Sequence, residues 1–388
     1  MRFPEFHGEW EKCKLGDIAT LTKGSGISKD QRSATGTPCI LYGELYTTYK
    51  SEVIDYVVSK TDISDKNLVR SCANDIIIPS SGETAIDIST ARCVLSPDVL
   101  LGGDLNIIRL NDGDGRFFSY QLNGVRKHDI AKIAQGVSVV HLYGESIKGL
   151  TVSFPSNKEQ QKISTLLSLI DERIATQSKL IEKLESLIKG INQRVFLNSG
   201  INYKIREICE IKSGYLGSQL LSKKGLKVSR IETISGHKVN MERVGYVAPF
   251  ESSENYRLRV GDILFSNINS VEYIGNTAFI DKDYDLYHGM NLLRLTPNNM
   301  VVIPFYLYLL LNTNRMLNRF KTVCNKAVSQ ASINQTELGK TVVQIPPINT
   351  QEQICELYQA LYTKLETESH TKSLFQNQKQ YMLRQMFI

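Results

Sequence analysis

The stretch SNKEQQKISTLLSLIDERIATQSKLIEKLESLIKGINQRVFL, residues 156–197, decides the fold of this chain. Its apolar residues recur every three and four positions, which is the a/d pattern of a helix that packs on another helix. Glutamine stands once in this seam where an apolar residue is expected. The predicted seam residues are Ile163, Leu167, Ile170, Ile174, Gln177, Ile181, Leu184, Ile188, Ile191 and Val195.

Local signals mark both ends of this helix. Pro155 closes the preceding segment, Ser156 and Glu159 have the spacing of a capping box, and Asn198-Ser199-Gly200 is a helix stop. At 1.5 Å per residue the helix extends about 60 Å, which one small domain cannot cover on all sides. The sequence therefore predicts that a second long helix packs on the first.

An internal repeat supplies this second helix. Residues 136–196 match residues 327–387 without a gap, at an offset of 191. The matched pairs at the start of the helices are Pro155 and Pro346, Gln160 and Gln351, and Ile163 and Ile354. The chain is thus a tandem duplication in which a globular part and a long helix occur twice.

The second seam is less regular than the first, because charged residues interrupt it. Transfer by 191 gives Ile354, Tyr358, Leu361, Leu365, Glu368, Lys372, Phe375, Lys379, Met382 and Met386. If the helices run antiparallel, Gln177 lies near Glu368, and such a polar layer fixes the register. The alternative is that the second helix turns another face to its partner, for example through Leu374 and Tyr381.

Each globular part contains strand-like and helical segments. The predicted strands are 75–78 and 105–110 in the first half and 262–265 and 291–295 in the second, and the predicted helices are 117–133 and 304–320. In the repeat, 74–77 matches 261–264 and 106–110 matches 291–295. These segments predict an α+β fold with a pseudo-two-fold pair of long helices. The predicted boundaries are 1–155 and 200–346 for the globular domains and 156–199 and 347–388 for the helices.

Composition bounds the class of protein. The 388 residues are 41% hydrophobic and 22% charged, as in a soluble protein of two or three domains, and neither a signal peptide nor an 18-residue apolar run is present. We therefore expect a cytoplasmic protein. Seven scattered cysteines give no metal-ligand spacing. The net charge is −2 for residues 1–155 and +6 for residues 198–349, which allows an anionic partner for the second half.

Motifs for catalysis are missing from the sequence. Gly24-Ser25-Gly26 begins like a dinucleotide-binding loop, but Lys29 stands where the third glycine is needed. The segment Ile345-Pro346-Pro347-Ile348 lacks both the polar residue and the aromatic residue of an adenine methyltransferase motif. No phosphate-binding loop, nucleophile elbow or HExxH helix occurs. The sequence predicts no catalytic residue and no metal site.

Polar loops follow the predicted strands. They contain the residue types that contact nucleic acid, which are small residues, hydroxyl and amide side chains, basic side chains and tyrosines. Loops 80–84 and 266–270 follow equivalent strands in the two repeats. The candidate contacts are Lys23, Ser25, Lys29, Arg32, Tyr42, Ser80, Ser81, Thr84 and Ser138 in the first half, and Lys212, Tyr215, Lys223, Lys224, Ser266, Asn267, Asn269 and Ser329 in the second. We expect some of Lys212, Lys223, Lys224 and Lys227 to contact phosphate.

The joint pattern resembles the specificity (S) subunits of type I restriction–modification systems. The resemblance covers essentially the whole chain. It depends on Trp10 with 14–18, on Asn74–Pro79, on 154–163 with its Glu-Gln-Gln-Lys-Ile, and on Pro346-Pro347 with Gln351-Glu352-Gln353-Ile354. Thr350 departs from the pattern, because the first repeat has Glu159 at that position.

This resemblance implies two target-recognition domains separated by an antiparallel pair of helices, each domain reading one half of a split, asymmetric DNA site. It also implies a non-catalytic subunit to which two methyltransferase (M) subunits and two motor/nuclease (R) subunits dock. S-adenosylmethionine, ATP and Mg²⁺ are then cofactors of those partners. The rival hypothesis is a coiled-coil scaffold whose globular halves bind proteins or small polyanions without reading DNA. A third hypothesis, a self-sufficient nuclease or methylase, is disfavoured by the missing catalytic motifs.

Overall fold

The computed structural model describes residues 1–64, 67–196, 200–326 and 330–387. The chain forms two compact units. Unit 1 contains residues 1–180 and 368–388, and unit 2 contains residues 181–367. Each unit therefore combines one globular part with a portion of both long helices.

Unit 1 is a mixed α+β structure built on a five-stranded sheet. Its strands are β1 Glu11–Lys14, β2 Ala19–Lys23, β3 Thr37–Ile40, β4 Val53–Ile54, β5 Ser59–Thr61, β6 Asp75–Pro79, β7 Ser81–Gly82, β8 Arg92–Val94, β9 Leu100–Leu101, β10 Leu105–Leu110, β11 Val140–His141 and β12 Thr151–Phe154. Its short helices are α1 Leu15–Ile18, α2 Glu44–Thr47, α3 Ala85–Ile88, α4 Gly115–Asn123, α5 Lys127–Ile133 and α6 Gly144–Lys148. The sheet has the order β2-β10-β6-β8-β4.

The first long helix, α7, spans Asn157–Val195 and leads into unit 2. The strands there are β13 Ile201–Lys204, β14 Cys209–Ser213, β15 Leu226–Val228, β16 Gly245–Val247, β17 Ile263–Ser266, β18 Ile268–Asn269, β19 Thr277–Phe279, β20 Leu292–Pro297, β21 Asn325–Lys326, β22 Ala331–Ser332 and β23 Val342–Ile345. The helices are α8 Ile205–Ile208, α9 Pro304–Leu311, α10 Asn314–Val323, α11 Gln335–Lys340 and the second long helix, α12 Ile348–Gln385. The main sheet has the order β14-β20-β17-β19.

The strand registers confirm the repeat and correct one of its matches. Ile76 of β6 pairs with Ile108 of β10, and Ile263 of β17 pairs with Leu295 of β20. Both strands therefore correspond at an offset of 187, as the match of 74–77 with 261–264 requires. The match of 106–110 with 291–295 was wrong by two residues, because similar aliphatic runs can be aligned in more than one register.

The helices predicted over 117–133 and 304–320 are each broken into two. In unit 1 the break follows Gly124, whose backbone N–H donates to the carbonyl of Tyr120. In unit 2 Thr313 starts the second helix, because its side chain accepts a hydrogen bond from the N–H of Met316. The first helix of each pair packs on its main sheet, α4 on β6 and β8 and α9 on β19 and β20.

The start of each long helix depends on a buried glutamine rather than on the expected capping box. Both oxygens of the Glu159 carboxylate are bound by Arg2, at 2.8 and 2.7 Å. Gln160 donates to the carbonyl of Pro155 at 2.8 Å and accepts from the N–H of Asp114 at 3.0 Å. Gln351 makes the same two types of contact, with Pro346 and Ile303, both at 2.8 Å. These bonds explain why proline and glutamine recur together in the repeat.

The long helices run antiparallel where each unit combines them. In unit 1 the guanidinium of Arg173 lies 5.6 Å from the ring centre of Phe375, and the side chain of Gln177 donates to the carbonyl of Glu368 at 3.1 Å. In unit 2 the hydroxyl of Tyr358 donates to Asn192. Residues therefore pair in opposite chain directions, which confirms the antiparallel pair.

The polar layer is also confirmed. Gln177 and Glu368 are both more than nine-tenths buried, and the amide of Gln177 donates to the Glu368 carboxylate as well. Leu374 and Tyr381 are 53% and 55% exposed, so the alternative face was wrong. The predicted seam residues of α7 are all buried or half-buried, as are Ile354, Leu361 and Leu365 of α12.

Lys379 belongs to a buried ion cluster, which we define as Glu52, Asp171 and Lys379. Its ammonium contacts the Asp171 carboxylate at 2.5 Å and the Glu52 carboxylate as well. Tyr120 donates to Asp171 at 2.8 Å, and burial raises the pKa of this hydroxyl, which keeps it a donor. The cluster joins α7, α12 and the globular part of unit 1.

The hydrophobic cores follow the same division. In unit 1 Leu383, Met386 and Phe387 of the C-terminal segment pack among Phe117 and Ile163, and the Phe117 and Phe387 rings lie 5.1 Å apart. In unit 2 a separate core contains Ile188, Tyr306 and Tyr358 among its buried residues. Within the described ranges, no helix is both long enough and apolar enough to cross a membrane.

Candidate nucleic-acid interface

In unit 1, two of the polar loops are joined by backbone pairing. The loop after β6 forms β7, which pairs with β11 so that Ser81 lies opposite His141. Gln135 and His141 exchange hydrogen bonds of 2.9 and 2.7 Å and close a loop in which Val137 is 97% exposed. The structure thus brings loop 80–84 and residues 135–141, which include the candidate contact Ser138, to one end of the main sheet.

Unit 2 repeats this arrangement. The loop after β17 forms β18, and Asn269 lies opposite Ala331 of β22. The N–H of Ile333 donates to the carbonyl of Asn267 at 2.9 Å. Residues 325–326 and 330–334 therefore lie beside loop 266–270, as the equivalent segments do in unit 1.

A third loop leaves the edge strand of each main sheet at a glycine. A Cβ on Gly24 would lie 2.0 Å from the carbonyl oxygen of Gly102, and a Cβ on Gly214 would lie 1.8 Å from that of Gly289. No side chain fits at these distances, so glycine is needed where two backbones approach. These glycines position the loops that carry Ser25 and Tyr215.

The candidate contacts differ in their exposure. The exposed ones are Lys23, Lys29, Arg32, Tyr42, Thr84, Ser138, Lys212, Lys223 and Lys224. Ser25, Tyr215, Asn267 and Asn269 are half-buried, and Ser80, Ser81 and Ser266 are buried. Ser329 lies outside the described residues. The assignment of these residues to DNA contacts stays a prediction. The exposed residues are the ones that DNA could reach without a change in the structure.

Several candidates also have partners within their own unit. Lys212 forms an ion pair with Glu210 at 2.8 Å, and Arg32 lies 3.6 Å from Glu44. Thr84 caps α3 by accepting from the N–H of Asp87. The ring of Tyr215 stacks on Phe250 with a centroid distance of 3.9 Å. These contacts fix the side chains before any ligand arrives, which lowers the entropy cost of binding.

His288 supports the loop that contains Tyr215. Its carbonyl accepts from the N–H of Tyr215 at 2.9 Å, and its buried ring contacts the carbonyl of Leu292 through Nε2 at 2.9 Å. Burial lowers the pKa of His288 to about 4, although the bond to Leu292 opposes this shift and the charge of Arg294 adds to it. The ring is therefore neutral near pH 7.

We expect unit 2 to lose stability on mild acidification because of His288. In the unfolded chain the His288 ring binds a proton near pH 6.5, and in folded unit 2 it does so only near pH 4. The contribution of the neutral ring to the free energy of unfolding is therefore complete above pH 6.5 and is lost as the pH falls to 4. The loss should approach about 3 kcal/mol. Hydrogen exchange in unit 2 across this range measures it. His288→Gln should flatten the pH dependence of the stability of unit 2, and equal pH slopes in the wild type and in this variant contradict the expectation.

Sequence reasoning missed one polar residue near the loops. Asn106 of β10 is 1% exposed and donates through Nδ2 to the carbonyl of Leu142 at 2.9 Å. Its Oδ1 is buried and has no hydrogen-bond partner among the described residues. Nothing in the sequence separates this asparagine from the aliphatic strand around it. In the ranges that the structure describes, no group of three or more His, Cys, Asp and Glu side chains is arranged to hold a metal ion.

Comparison with known proteins shows that one family model matches two consecutive regions of the chain. The family model described as the type I restriction modification DNA specificity domain matches residues 7–186 and again residues 201–374. The putative type I restriction enzyme MjaX specificity subunit of Methanocaldococcus jannaschii is 36% identical over 193 residues, which are 48% of this chain and 45% of that protein. The MjaVIII specificity subunit of the same organism is 22% identical over 422 aligned positions, covering 98% of this chain and 94% of that protein.

Solved structures share the fold over the full length. The crystal structure of the type I restriction–modification S subunit from M. genitalium matches with a TM-score of 0.65 at 19% identity and covers 100% of this chain and 99% of that one. A chain from a structure of type I R-M complex assembly and conformational transition matches with a TM-score of 0.60 at 16% identity, over 98% and 97% of the two chains. Because the family model covers most of the sequence in two consecutive copies, this chain belongs to the family of type I restriction modification DNA specificity domains and carries two of them in tandem.

Proposed function

We propose that the chain is the specificity subunit of a type I restriction–modification enzyme and that each unit reads one half of a split, asymmetric site in double-stranded DNA. The observation that carries this proposal is the paired loop arrangement at equivalent strand ends in the two units. The loops share a backbone arrangement and differ in sequence, which suits two readers of different targets. The family membership supports the same role.

The proposed partners supply the chemistry. Two adenine-N6 methyltransferase subunits and two motor/nuclease subunits assemble on this chain, and S-adenosylmethionine, ATP and Mg²⁺ are bound by them. This chain contributes binding, orientation and the choice of sequence, and no residue of it is assigned a catalytic role. Both long helices contribute residues to each of the two units.

Selection from a random duplex library tests this function directly. The chain is purified with its methyltransferase subunits, bound to the library and washed at moderate salt. We expect enrichment of a motif with two specified halves and an unspecified gap. Binding without sequence enrichment would instead favour a scaffold that contacts DNA or proteins without reading bases.

Lys223 and Lys224 are exposed in the basic half, and we expect them to contact phosphate. Replacing either one by glutamine should reduce the slope of log affinity against log salt by about one unit and leave the motif unchanged, since a phosphate contact carries no sequence information. Affinity measured at several salt concentrations checks this, with Lys183→Gln on the exposed face of α7 as the control. A changed motif would make the residue a base reader, and an unchanged slope would remove it from the interface.

A further inference from the structure

Unit 1 has an open groove where unit 2 is sealed. In unit 2, helix α11 covers the edge strand β14, and the side-chain amide of Gln335 donates to the carbonyl of Ile211 at 2.6 Å. Asn334 caps the same helix by accepting from the N–H of Glu337 at 2.8 Å. Two side chains thus close the edge of the sheet.

The matching residues of unit 1 neither bond to the edge strand nor cap the helix with a side chain. At the offset of 191, Tyr143 and Gly144 replace Asn334 and Gln335. Tyr143 makes no side-chain cap, and Gly144 has no side chain that could reach the edge strand. A groove of about 250 Å³ lies beside β2 as a result. We call it the β2–α6 groove, and the residues that matter for it are Leu21, Lys23, Asn106, Tyr143 and Gly144.

Asn106 lines this groove, and its unpartnered oxygen lies in the groove wall beside Gly144. A Cβ on Gly144 would lie 3.6 Å from Asn106 Oδ1. Asn106 pairs with Lys23 across the sheet, and the equivalent pair in unit 2 is Leu293 with Ser213. Unit 2 therefore has an apolar residue where unit 1 has a buried acceptor. Buried acceptors without a donor are rare in folded proteins, so the oxygen of Asn106 points to a ligand that donates a hydrogen bond.

The groove lies at the end of the sheet where the polar loops meet. Asn106 is opposite Ile78, two residues before the loop 80–84, and its amide holds the carbonyl of Leu142 next to β11. Lys23 is exposed and lines the same groove, whereas the ammonium of Lys148 is paired with Glu145 at 2.7 Å. The groove thus combines a buried acceptor with a cation at its rim.

We propose that the β2–α6 groove receives the exocyclic amino group of a DNA base, N6 of adenine or N4 of cytosine, and makes unit 1 selective at one position of its half-site. This rests on the function proposed above. These amino groups are the donors that bases present in the major groove. Asn106 Oδ1 and the edge carbonyl of Leu21 accept, and Lys23 contacts the adjoining phosphate. Because both groove groups only accept, O6 of guanine and O4 of thymine are rejected there.

The repeat supplies the test variants. Gly144→Gln copies Gln335, the residue that closes the sheet edge in unit 2, and its amide should donate a hydrogen bond to the carbonyl of Leu21. Gly144→Ala is the matched control, since its methyl group would meet Asn106 at an ordinary contact distance and leave the groove open. Asn106→Leu copies Leu293 and removes the acceptor itself. The fluorescence of Trp10, the one tryptophan of the chain, reports whether unit 1 of each variant is folded.

The experiment measures binding of the chain with its methyltransferase subunits to duplexes that carry its motif. At each position of the half-site read by unit 1, adenine is replaced by purine, which lacks the amino group, or cytosine by 2-pyrimidinone. We expect the wild type and Gly144→Ala to lose roughly tenfold in affinity at one position, and Gly144→Gln and Asn106→Leu to be insensitive there.

Three results overturn the proposal: no sensitive position in the wild type, equal sensitivity in the wild type and in the folded variants, or a change that appears in the half-site read by unit 2. If Gly144→Gln does not fold, Asn106→Leu decides by the same criterion. Binding of the wild type without any sequence preference is a different outcome, because it contradicts the proposed function itself.

Discussion

Replacing Lys379 by methionine is expected to destabilise unit 1 by about 3–5 kcal/mol. The substitution keeps the length of the side chain but removes the ammonium that pairs directly with the buried carboxylates of Glu52 and Asp171. A buried carboxylate that has lost its partner carries the full cost of desolvation. Chemical unfolding followed by the fluorescence of Trp10 measures the change, because this residue lies in unit 1 and packs on Phe117.

Two comparisons separate this effect from a general loss of packing. Lys179→Met removes an exposed lysine of α7 and should change the free energy of unfolding by less than about 0.5 kcal/mol. The triple variant Lys379→Met, Glu52→Gln, Asp171→Asn removes all three charges of the ion cluster and should recover most of the loss. If the triple variant is as unstable as Lys379→Met alone, the ion cluster is not the cause.

Lengthening both long helices by one heptad is expected to widen the gap of the recognised site by about 3 bp. The insertions lie at the boundaries of the units, with a copy of 181–187 after Leu180 and a copy of 361–367 after Thr367. Seven residues preserve the seam and add about 10 Å, and B-DNA rises about 3.4 Å per step. Sequencing of methylated DNA from cells that carry the variant measures the gap.

The matched control inserts the heptad into α7 only. This variant has an unpaired stretch of seam and should lose methylation, since the two helices no longer keep register. An unchanged gap in a variant with both insertions that still methylates would show that the helices do not set the spacing.

Much of the fold follows from local sequence patterns. The seam of α7 and the position of Gln177 opposite Glu368 were predictable because a heptad repeat fixes which residues face the partner helix. The repeat at 191 residues located α12, although its own seam is irregular. The breaks at Gly124 and Thr313 were missed, because one glycine or one capping threonine does not outweigh a long apolar pattern.

The ion cluster could not be read from the sequence. Glu52, Asp171 and Lys379 are separated by more than a hundred residues each, and only the tertiary structure brings them together. The register of β20 was missed for a related reason. A strand buried on both faces has an almost continuous aliphatic sequence, so its alignment is set by hydrogen bonding to its neighbours and not by its own pattern.

The sequence predicted the positions of the candidate loops, but it did not predict which of their side chains are exposed. Loops 80–84 and 266–270 were placed correctly because they follow strands that the repeat had paired. Ser80, Ser81 and Ser266 are buried, since backbone pairing beside these loops covers them. Asn106 was missed because only its hydrogen bonding distinguishes it from the residues around it. A comparison of Gly144 with Gln335 in the repeat was the one signal in the sequence that could have pointed to the groove.

The central claim is that this chain chooses the DNA sequence through two different readers, and single-molecule methylation sequencing tests it most directly. Genomic DNA is compared between cells with the intact system and cells in which only this chain is deleted. The account predicts one split motif with N6-methyladenine in both halves, present in the first cells and absent from the second. Retention of that motif without the chain, or methylation of an unsplit or symmetric site that depends on it, would contradict the account.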